Sequence, residues 1–184
     1  MKVFNTAIQD LCIIEPSVFK DRRGYFLETF NLEKFKKVVS PIDFVQDNES
    51  KSCKGVLRGL HFQKPPFEQA KLVRCIEGVV LDIAVDIRKN SKTYGMHVSV
   101  ILSGKNKRQL FVPRGFAHGF LVLSRSAIFA YKVDNIYAPD YDEGIRWCDK
   151  KLNIQWGLKE GEVLVSAKDA DLPLFSSFES PFTL

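Results

Sequence analysis

Five side chains that could take part in acid–base chemistry or bind an anion stand in segments that otherwise resemble buried strands. They are Arg58, His61, Lys71, His118 and Tyr131. A buried cation is costly unless it is paired or serves a ligand, and histidine exchanges its proton near neutral pH, so each residue is either a satisfied structural group or part of a site. Each also has an ordinary structural explanation: a solvated Lys71, a turn-stabilising His118, or a core Tyr131 capped by a backbone carbonyl.

The segment VLRGLHFQ, residues 56–63, holds Arg58 and His61 three positions apart. In a regular strand alternate residues face the same way, so these two side chains would point to opposite sides. Gly59 is the natural place for a β-bulge, a feature that often lies beside an active site. We therefore predict a break in register at Gly59 that turns both side chains inward.

Histidine is scarce, with only His61, His97 and His118, and the sequence has neither an HxH nor an HxxH pair. Small β-barrels that hold a catalytic metal commonly use such a pair with a carboxylate and a later histidine. We therefore expect no metal and no cofactor. Acid, base and hydrogen-bonding side chains must then supply any chemistry. By strand alternation, Tyr131 shares a face with Phe129 and should point into the barrel.

The bulk properties indicate one globular domain over residues 1–184. Hydrophobic residues make up 45% and charged residues 27%, the composition of a soluble protein. The N-terminus lacks a signal-peptide pattern and no run approaches membrane-spanning length, so we expect a cytoplasmic protein that does not contact a membrane. The net charge of +5 is spread among acidic residues, which favours an anionic small molecule over nucleic acid.

Cysteine spacing points to the same compartment. Cys12, Cys53, Cys75 and Cys148 are scattered, with no CxxC pair. We expect free, buried or semi-buried thiols in a reducing environment.

Short strands dominate the predicted structure. In VVLDIAVDI, residues 79–87, apolar residues alternate with Asp82, Ala84 and Asp86, which predicts a strand with one core face and one partly polar face. YGMHVSVILSGKNKRQLFVP predicts two strands around a turn, and HGFLVLS, AIFAYKV and EVLVSA continue the series. This spacing is typical of an all-β sandwich or barrel.

One segment is predicted to form a helix, and the C-terminal tail is predicted to pack against the protein. NLEKFKKVV begins with Asn31 as an N-cap and places Leu32, Phe35 and Val39 on one side. The tail, DADLPLFSSFESPFTL, is apolar enough to pack on the domain or on a partner subunit.

Taken together, the segments resemble the dTDP-4-dehydrorhamnose 3,5-epimerase family over nearly the whole chain. The matching segments, in order, are RGYFLETF, QDNES, VLRGLHFQ, QAKLVRCIEG, DIAVDIRKNSKTYG, FVPRGFAHGFLVLS, YKVDNIYAPDYDEGIRW and VSAKDA. The resemblance implies an all-β, jelly-roll or cupin-like double-stranded β-helix barrel with few short helices and no catalytic metal. It also implies a homodimer whose N-terminal segment contributes to the interface and to the partner's site.

The resemblance also implies a mechanism. The substrate, dTDP-4-dehydro-6-deoxy-D-glucose, is a dTDP-linked 4-keto-6-deoxyhexose whose C3 and C5 hydrogens are acidified by the C4 ketone. His61 matches the base, Asp169 the carboxylate paired with it, and Tyr131 the acid that returns a proton from the opposite face. Lys71 matches the cation beside the C4 oxygen, where it would stabilise an enolate. The expected product is dTDP-4-dehydro-L-rhamnose, in dTDP-L-rhamnose biosynthesis.

The family's substrate-binding positions are matched by a larger set of polar side chains. These are Arg23, Glu28, Gln46, Asn48, Arg58, Lys71, His118, Asp142 and Lys168. Two positions depart from the family pattern. Glutamate is common where Asp142 stands, so Asp142 or neighbouring Glu143 could make that contact; Phe62 replaces a frequent tyrosine and removes a hydroxyl.

Two alternatives stay open from the sequence. One is a single-centre epimerase that inverts only C3 or only C5 of another nucleotide-linked 4-keto sugar, because the same base and acid serve both centres. The other is a non-catalytic cupin that binds a sugar nucleotide, which the presence of His61, Asp169 and Tyr131 disfavours.

Overall fold

The computed structural model describes residues 1–184, except for the side chain of Glu160. Its strands are β1 (Lys2–Asn5), β2 (Cys12–Glu15), β3 (Val18–Asp21), β4 (Gly24–Leu27), β5 (Gln46–Cys53), β6 (Leu57–Gln63), β7 (Lys71–Glu77), β8 (Val79–Asp86), β9 (His97–Ser103), β10 (Gln109–Val112), β11 (Phe116–Val122), β12 (Ser126–Val133) and β13 (Asp142–Gly144). The helices are α1 (Leu32–Val38) and α2 (Ala167–Ala170), with 3-10 turns at Pro139–Tyr141, Glu160–Glu162 and Phe175–Ser177.

The strands form two antiparallel sheets and a separate ribbon. One sheet has the order β1-β2-β10-β7-β12-β5 and the other β13-β6-β11-β8-β9, while β3 and β4 pair only with each other. Consecutive strands such as β9 and β10 lie in different sheets, so the turn between them crosses the barrel edge. The expected jelly-roll, cupin-like all-β fold is confirmed.

The main core lies between the two sheets. It includes Val73 and Cys75 of β7, Val80 and Ala84 of β8, and Phe129 of β12. A second apolar cluster covers the outer face of the five-stranded sheet and draws on the C-terminal tail. The prediction that the tail packs is confirmed, since Phe175 and Phe182 are buried in this cluster. The polar cavity described below is therefore backed by well-packed apolar side chains.

Strand β8 departs from the predicted pattern. Its alternation predicts one partly polar face, yet Asp82 and Asp86 are both 0% exposed. The prediction is wrong because both faces are covered: Val80 and Ala84 face the other sheet, and Ile83 faces the C-terminal segment. A carboxylate at an even position of β8 therefore lies inside the barrel.

The predicted helix is confirmed, whereas a predicted strand is absent. Helix α1 starts after Asn31, whose side chain accepts a hydrogen bond from the Lys34 amide, and it buries Phe35. EVLVSA forms no strand; only Leu164 makes an isolated bridge, to Val56, and α2 follows.

Two cysteines also depart from expectation. Cys12 and Cys75 are buried as predicted, but Cys53 and Cys148 are exposed because neither lies on a core-facing position.

Candidate active site

A cavity of about 580 Å³ lies in the barrel, a size suited to a small-molecule ligand. Eighteen residues line it: Glu49, Ser50, Val56, Leu57, Arg58, His61, Lys71, His118, Phe120, Phe129, Tyr131, Tyr137, Asp142, Leu164, Val165, Ser166, Lys168 and Asp169. All four predicted catalytic residues and four other predicted binding residues are in this set. The fold thus brings together side chains from both sheets and from the C-terminal segment.

The predicted bulge in β6 is confirmed. His61 pairs with His118 and Arg58 pairs with Phe120, so β6 has one residue more than β11 between the two pairs. Gly59 has a φ of +133°, and a Cβ there would lie 2.5 Å from the Gly119 Cα. Only glycine fits this conformation and this close approach. The extra residue lets Arg58 and His61 face the same cavity.

His61 and Asp169 form a close pair at the cavity wall. The Nε2 atom of His61 lies 2.7 Å from the Asp169 Oδ1 atom, and the side chains are 29% and 5% exposed. Burial alone would raise the pKa of Asp169, but the hydrogen bonds from His61, the Gly59 amide and Ser166 outweigh it and lower that pKa. The carboxylate is therefore ionised and accepts from Nε2–H, which leaves the lone pair of the neutral ring on Nδ1.

Asp169 is held by its own short helix. Ser166 caps α2 by accepting a hydrogen bond from the Asp169 amide at 3.1 Å, and the Gly59 amide donates to the Asp169 Oδ2 atom at 3.4 Å. The helix and the bulge therefore fix the carboxylate between them. Such support sets both the tautomer and the orientation of the His61 ring.

Lys71 and Tyr131 lie on neighbouring strands of the other sheet. Burial lowers the pKa of Lys71 from 10.5 to about 8, against the opposing effects of Asp142 and Asp82. Burial also raises the pKa of Tyr131 above 10.0, so its phenol is protonated at neutral pH. Tyr131 shares the interior face with Phe129, as predicted. The cavity therefore contains a lysine that loses its proton more readily than usual and a tyrosine that can donate a proton.

His118 belongs to a second imidazole–carboxylate pair, deeper in the barrel. Its Nε2 atom lies 2.9 Å from the Asp82 Oδ1 atom, and the two side chains are 7% and 0% exposed. The sequence pattern predicts Asp82 on a strand and gives it no role. The alternation of β8 could have identified it only if both faces had been known to be buried.

A polar cluster borders the cavity at β13. Asp142 accepts hydrogen bonds from Lys168 at 2.7 Å and from the Tyr137 hydroxyl at 3.2 Å. Glu143 instead pairs with Lys64 at 2.6 Å and does not line the cavity. The geometry thus favours Asp142 over Glu143. Tyr137 was missed because it lies in a loop without periodicity.

Gln46 and Asn48 line a recess that shares Lys71 and Tyr131 with the cavity. Arg23 and Glu28 do not reach either space within this chain. Arg23 is 85% exposed and pairs with Asp21 beside the β3–β4 turn. Glu28 pairs with Lys34.

The described side chains include no group of three or more His, Cys, Asp or Glu residues arranged to hold a metal ion. None of the described helices is long and apolar enough to cross a membrane.

Comparisons with known proteins identify the family to which the chain is related. Residues 5–177 match the family model described as dTDP-4-dehydrorhamnose 3,5-epimerase. A Shigella flexneri protein of that name is 54% identical over 170 residues, which cover 92% of this chain and 93% of the relative.

Solved structures agree. The 3,5-epimerase RmlC from Legionella pneumophila, in complex with dTDP-4-keto-L-rhamnose, has a TM-score of 0.93 at 47% identity and covers 97% of this chain and 94% of its own. ChmJ, a 3'-monoepimerase from Streptomyces bikiniensis in complex with dTDP-quinovose, has a TM-score of 0.86 at 29% identity and covers 94% of this chain and 87% of its own. With the family model matched across both sheets and with relatives this similar along their whole length, the chain belongs to the dTDP-4-dehydrorhamnose 3,5-epimerase family.

Proposed function

We propose that this protein is a dTDP-4-dehydrorhamnose 3,5-epimerase. It inverts C3 and C5 of dTDP-4-dehydro-6-deoxy-D-glucose to give dTDP-4-dehydro-L-rhamnose, a step of dTDP-L-rhamnose biosynthesis. The observation that carries the proposal is one cavity lined by the His61–Asp169 pair, by Tyr131 and by Lys71. The names of its relatives, and the 4-keto sugar nucleotide bound by one of them, support the same activity.

The reaction needs no change in oxidation state. The neutral His61 ring takes a proton from C3 or C5, and the electron pair of the broken C–H bond moves into an enolate whose charge lies on the C4 oxygen. The Lys71 ammonium stabilises that oxyanion, an interaction stronger in a dry cavity than in water. Tyr131 then gives a proton to the opposite face of the same carbon, so the configuration is inverted.

The polar side chains around this centre hold the nucleotide part of the substrate. Arg58 faces the cavity with a guanidinium suited to two pyrophosphate oxygens. His118 and Lys168 add donors, while Asp142 orients Lys168. The remaining assigned binding residues in the barrel, Gln46 and Asn48, line the adjoining recess.

We also propose that the chain forms a homodimer in which the β3–β4 ribbon of each subunit completes the partner's site. Within one chain Arg23 and Glu28 stay outside the cavity. The ribbon exposes Phe19, Tyr25 and Phe26 at 64%, 56% and 69%. Apolar aromatic side chains exposed together are typical of an interface.

Mixing two inactive variants tests the shared site. A dimer of one His61→Asn chain and one Arg23→Ala chain keeps one intact site, so a refolded 1:1 mixture should regain about a quarter of the wild-type activity. No recovery in a mixture shown to contain heterodimers would exclude a contribution of Arg23 across the interface.

Residues 1–184 act in this proposal as a single domain. We place the enzyme in the cytoplasm, a compartment in which thiols such as Cys12 and Cys75 stay reduced.

Deuterium uptake from heavy water distinguishes the proposed activity from its alternatives. With dTDP-4-dehydro-6-deoxy-D-glucose and a reductase that traps the product, label at both C3 and C5 is the expected result in NMR spectra. Label at one carbon would identify a single-centre epimerase, the activity named for ChmJ. Tight binding without label would identify a non-catalytic sugar-nucleotide-binding protein.

A further inference from the structure

Asp82 carries a fully buried carboxylate that has no role in the proposed mechanism. It lies on β8 between Val80 and Ala84, two residues that pack in the core between the sheets. Since alternate strand residues face the same side, the Asp82 side chain points into the same interior. It is 0% exposed, so no bulk water reaches it.

Only one of the two Asp82 oxygens has a hydrogen-bond partner. The Oδ1 atom is 2.9 Å from the His118 Nε2 atom, while the Oδ2 atom is buried without a partner among the described residues. A buried carboxylate oxygen with no donor is expensive. Asp86 lies four residues further along β8, on the same face, and provides a contrast. Its carboxylate accepts hydrogen bonds from Arg88, Ser91 and Thr93.

A lysine of the opposite sheet faces the same interior as Asp82. Lys71 alternates along β7 with Val73 and Cys75, both of which pack in the core between the sheets, so Lys71 also faces the interior. Burial lowers the pKa of Lys71, and the charges of Asp142 and then of Asp82 oppose that lowering. Burial raises the pKa of Cys75, and the charge of Asp82 adds to the rise. A carboxylate of β8 therefore acts on two groups of β7 across the barrel.

We propose that Asp82 is a positioning residue for the epimerase reaction: one oxygen holds the His118 ring, and the negative charge of its carboxylate faces the half-buried Lys71 ammonium from the opposite sheet. The importance of that charge rests on the proposed function, in which Lys71 stabilises the enolate oxygen. Without Asp82, the cavity would still contain the lysine but would lose its positive charge at a lower pH.

Other charged and titratable groups also face this region and enter the test. They are Cys75 on β7, His118 on β11, Arg58 and His61 on β6, Glu49 on β5, Tyr131 on β12, Tyr137, Asp142 on β13, and Lys168 and Asp169 on α2. Asp142 also favours the charged form of Lys71, but it already accepts hydrogen bonds from Lys168 and Tyr137. Among the described residues, Asp82 has only His118 within hydrogen-bond distance.

The first experiment measures Lys71 directly and needs no substrate. The protein is labelled with [ε-¹³C]lysine, the Lys71 signal is assigned with Lys71→Arg, and its chemical shift is followed by NMR against pH. In Asp82→Asn the amide oxygen can still accept from His118 while the charge is gone. We expect the Lys71 midpoint to fall by about one pH unit or more, a tenfold change in proton affinity.

Asp86→Asn is the matched control. It removes an equally buried carboxylate from the same face of β8, so it tests for a general effect of altering the core. We expect the Lys71 midpoint to stay at the wild-type value in this variant. If Asp82→Asn does not fold, Asp82→Ser repeats the test, because its hydroxyl can accept from His118 in a smaller side chain.

An unchanged Lys71 midpoint in a folded Asp82 variant would overturn the inference, as would an equal fall in Asp86→Asn. Activity supplies a second readout. The alkaline limb of kcat/KM should move to lower pH in Asp82→Asn. A shifted NMR midpoint in a protein with no epimerase activity would support the link between Asp82 and Lys71 while contradicting the proposed function.

Discussion

The His61–Asp169 and His118–Asp82 pairs consist of the same two residue types at almost the same distance, 2.7 and 2.9 Å, but their surroundings differ. His61 is 29% exposed beside the cavity, and its carboxylate is held by a short helix and the bulge. His118 is 7% exposed, and its carboxylate keeps one oxygen without a hydrogen bond. An imidazole–carboxylate pair therefore does not define a base by itself.

The two pairs differ in whether they can exchange a proton with the substrate. The open pair fixes the tautomer of a ring that meets the substrate, so it can accept and release a proton. In the buried pair the carboxylate also acts electrostatically on Lys71, so a change in its charge would alter the charge of the cavity. The first pair suits proton transfer, and the second suits holding a charge in place.

Replacing each histidine by asparagine should separate the two pairs most clearly. We expect His61→Asn to lower kcat by about 10³-fold or more, since it removes the base, while the affinity for dTDP changes little. His118→Asn should lower kcat/KM by about 10-fold, mostly through KM. Steady-state kinetics and dTDP titration calorimetry measure both. Equal losses of kcat in the two variants would break the assignment of a single base.

Lys71→Met tests the cost of keeping a cation next to the buried pair. We expect kcat to fall by about 10²-fold, because the enolate loses its counter-charge. The Lys71 pKa is lower in the folded protein than the usual 10.5, so the unfolded chain binds this proton more tightly and folding is penalised at neutral pH. At about 1.36 kcal/mol per pH unit, the variant should be more stable by as much as about 3 kcal/mol at pH 7.

Urea denaturation at two pH values checks the sign of that effect. The wild type should gain stability as pH rises from about 8 towards 10.5, where the folded protein has lost the Lys71 proton and the unfolded chain is losing it. The gain should be missing in Lys71→Met. A variant less stable than the wild type at pH 7 would show that Lys71 is a net structural contributor.

The open pair was largely predictable from the sequence, and the buried pair was not. The spacing of Arg58 and His61 around a glycine required a bulge if both were to face inward, and the bulge is present. Strand alternation likewise placed Tyr131 correctly. The partner carboxylate, however, lies 108 positions from His61 on a helix of four residues that follows the segment predicted as a strand, and only the resemblance to the family indicated it. Periodicity is local and cannot report such a pairing.

The buried pair could not be predicted from the sequence for a related reason. The alternating pattern of β8 was interpreted as a half-solvated strand, since aspartate is rarely buried without a partner. Both faces of the strand are in fact covered, one by the opposite sheet and one by the C-terminal tail. Which elements cover a strand is decided by the whole topology, so the environment of Asp82 could not be derived from its own segment.

The pH dependence of wild-type kcat/KM should report the charge on Lys71. Activity should fall about tenfold per pH unit above a pH of about 8, as Lys71 loses its charge. Tyr131 has a pKa above 10.0 and does not account for that limb. Loss of the limb in Lys71→Arg, which stays charged, would confirm its origin; persistence would assign it elsewhere.

The smallest expected effect concerns the carboxylate that faces Lys71 from the open side. Asp142 accepts from Lys168 at 2.7 Å at the cavity wall, whereas Glu143 pairs with Lys64 outside it. Asp142→Asn should therefore raise KM by about tenfold with a small change in kcat, because Lys168 loses the partner that orients it. Glu143→Gln is the matched control and should leave both constants unchanged, since a surface ion pair contributes little. If Glu143→Gln raised KM as much as Asp142→Asn, the two acids would share the contact, and the open side of Lys71 would be less sharply defined than its buried side.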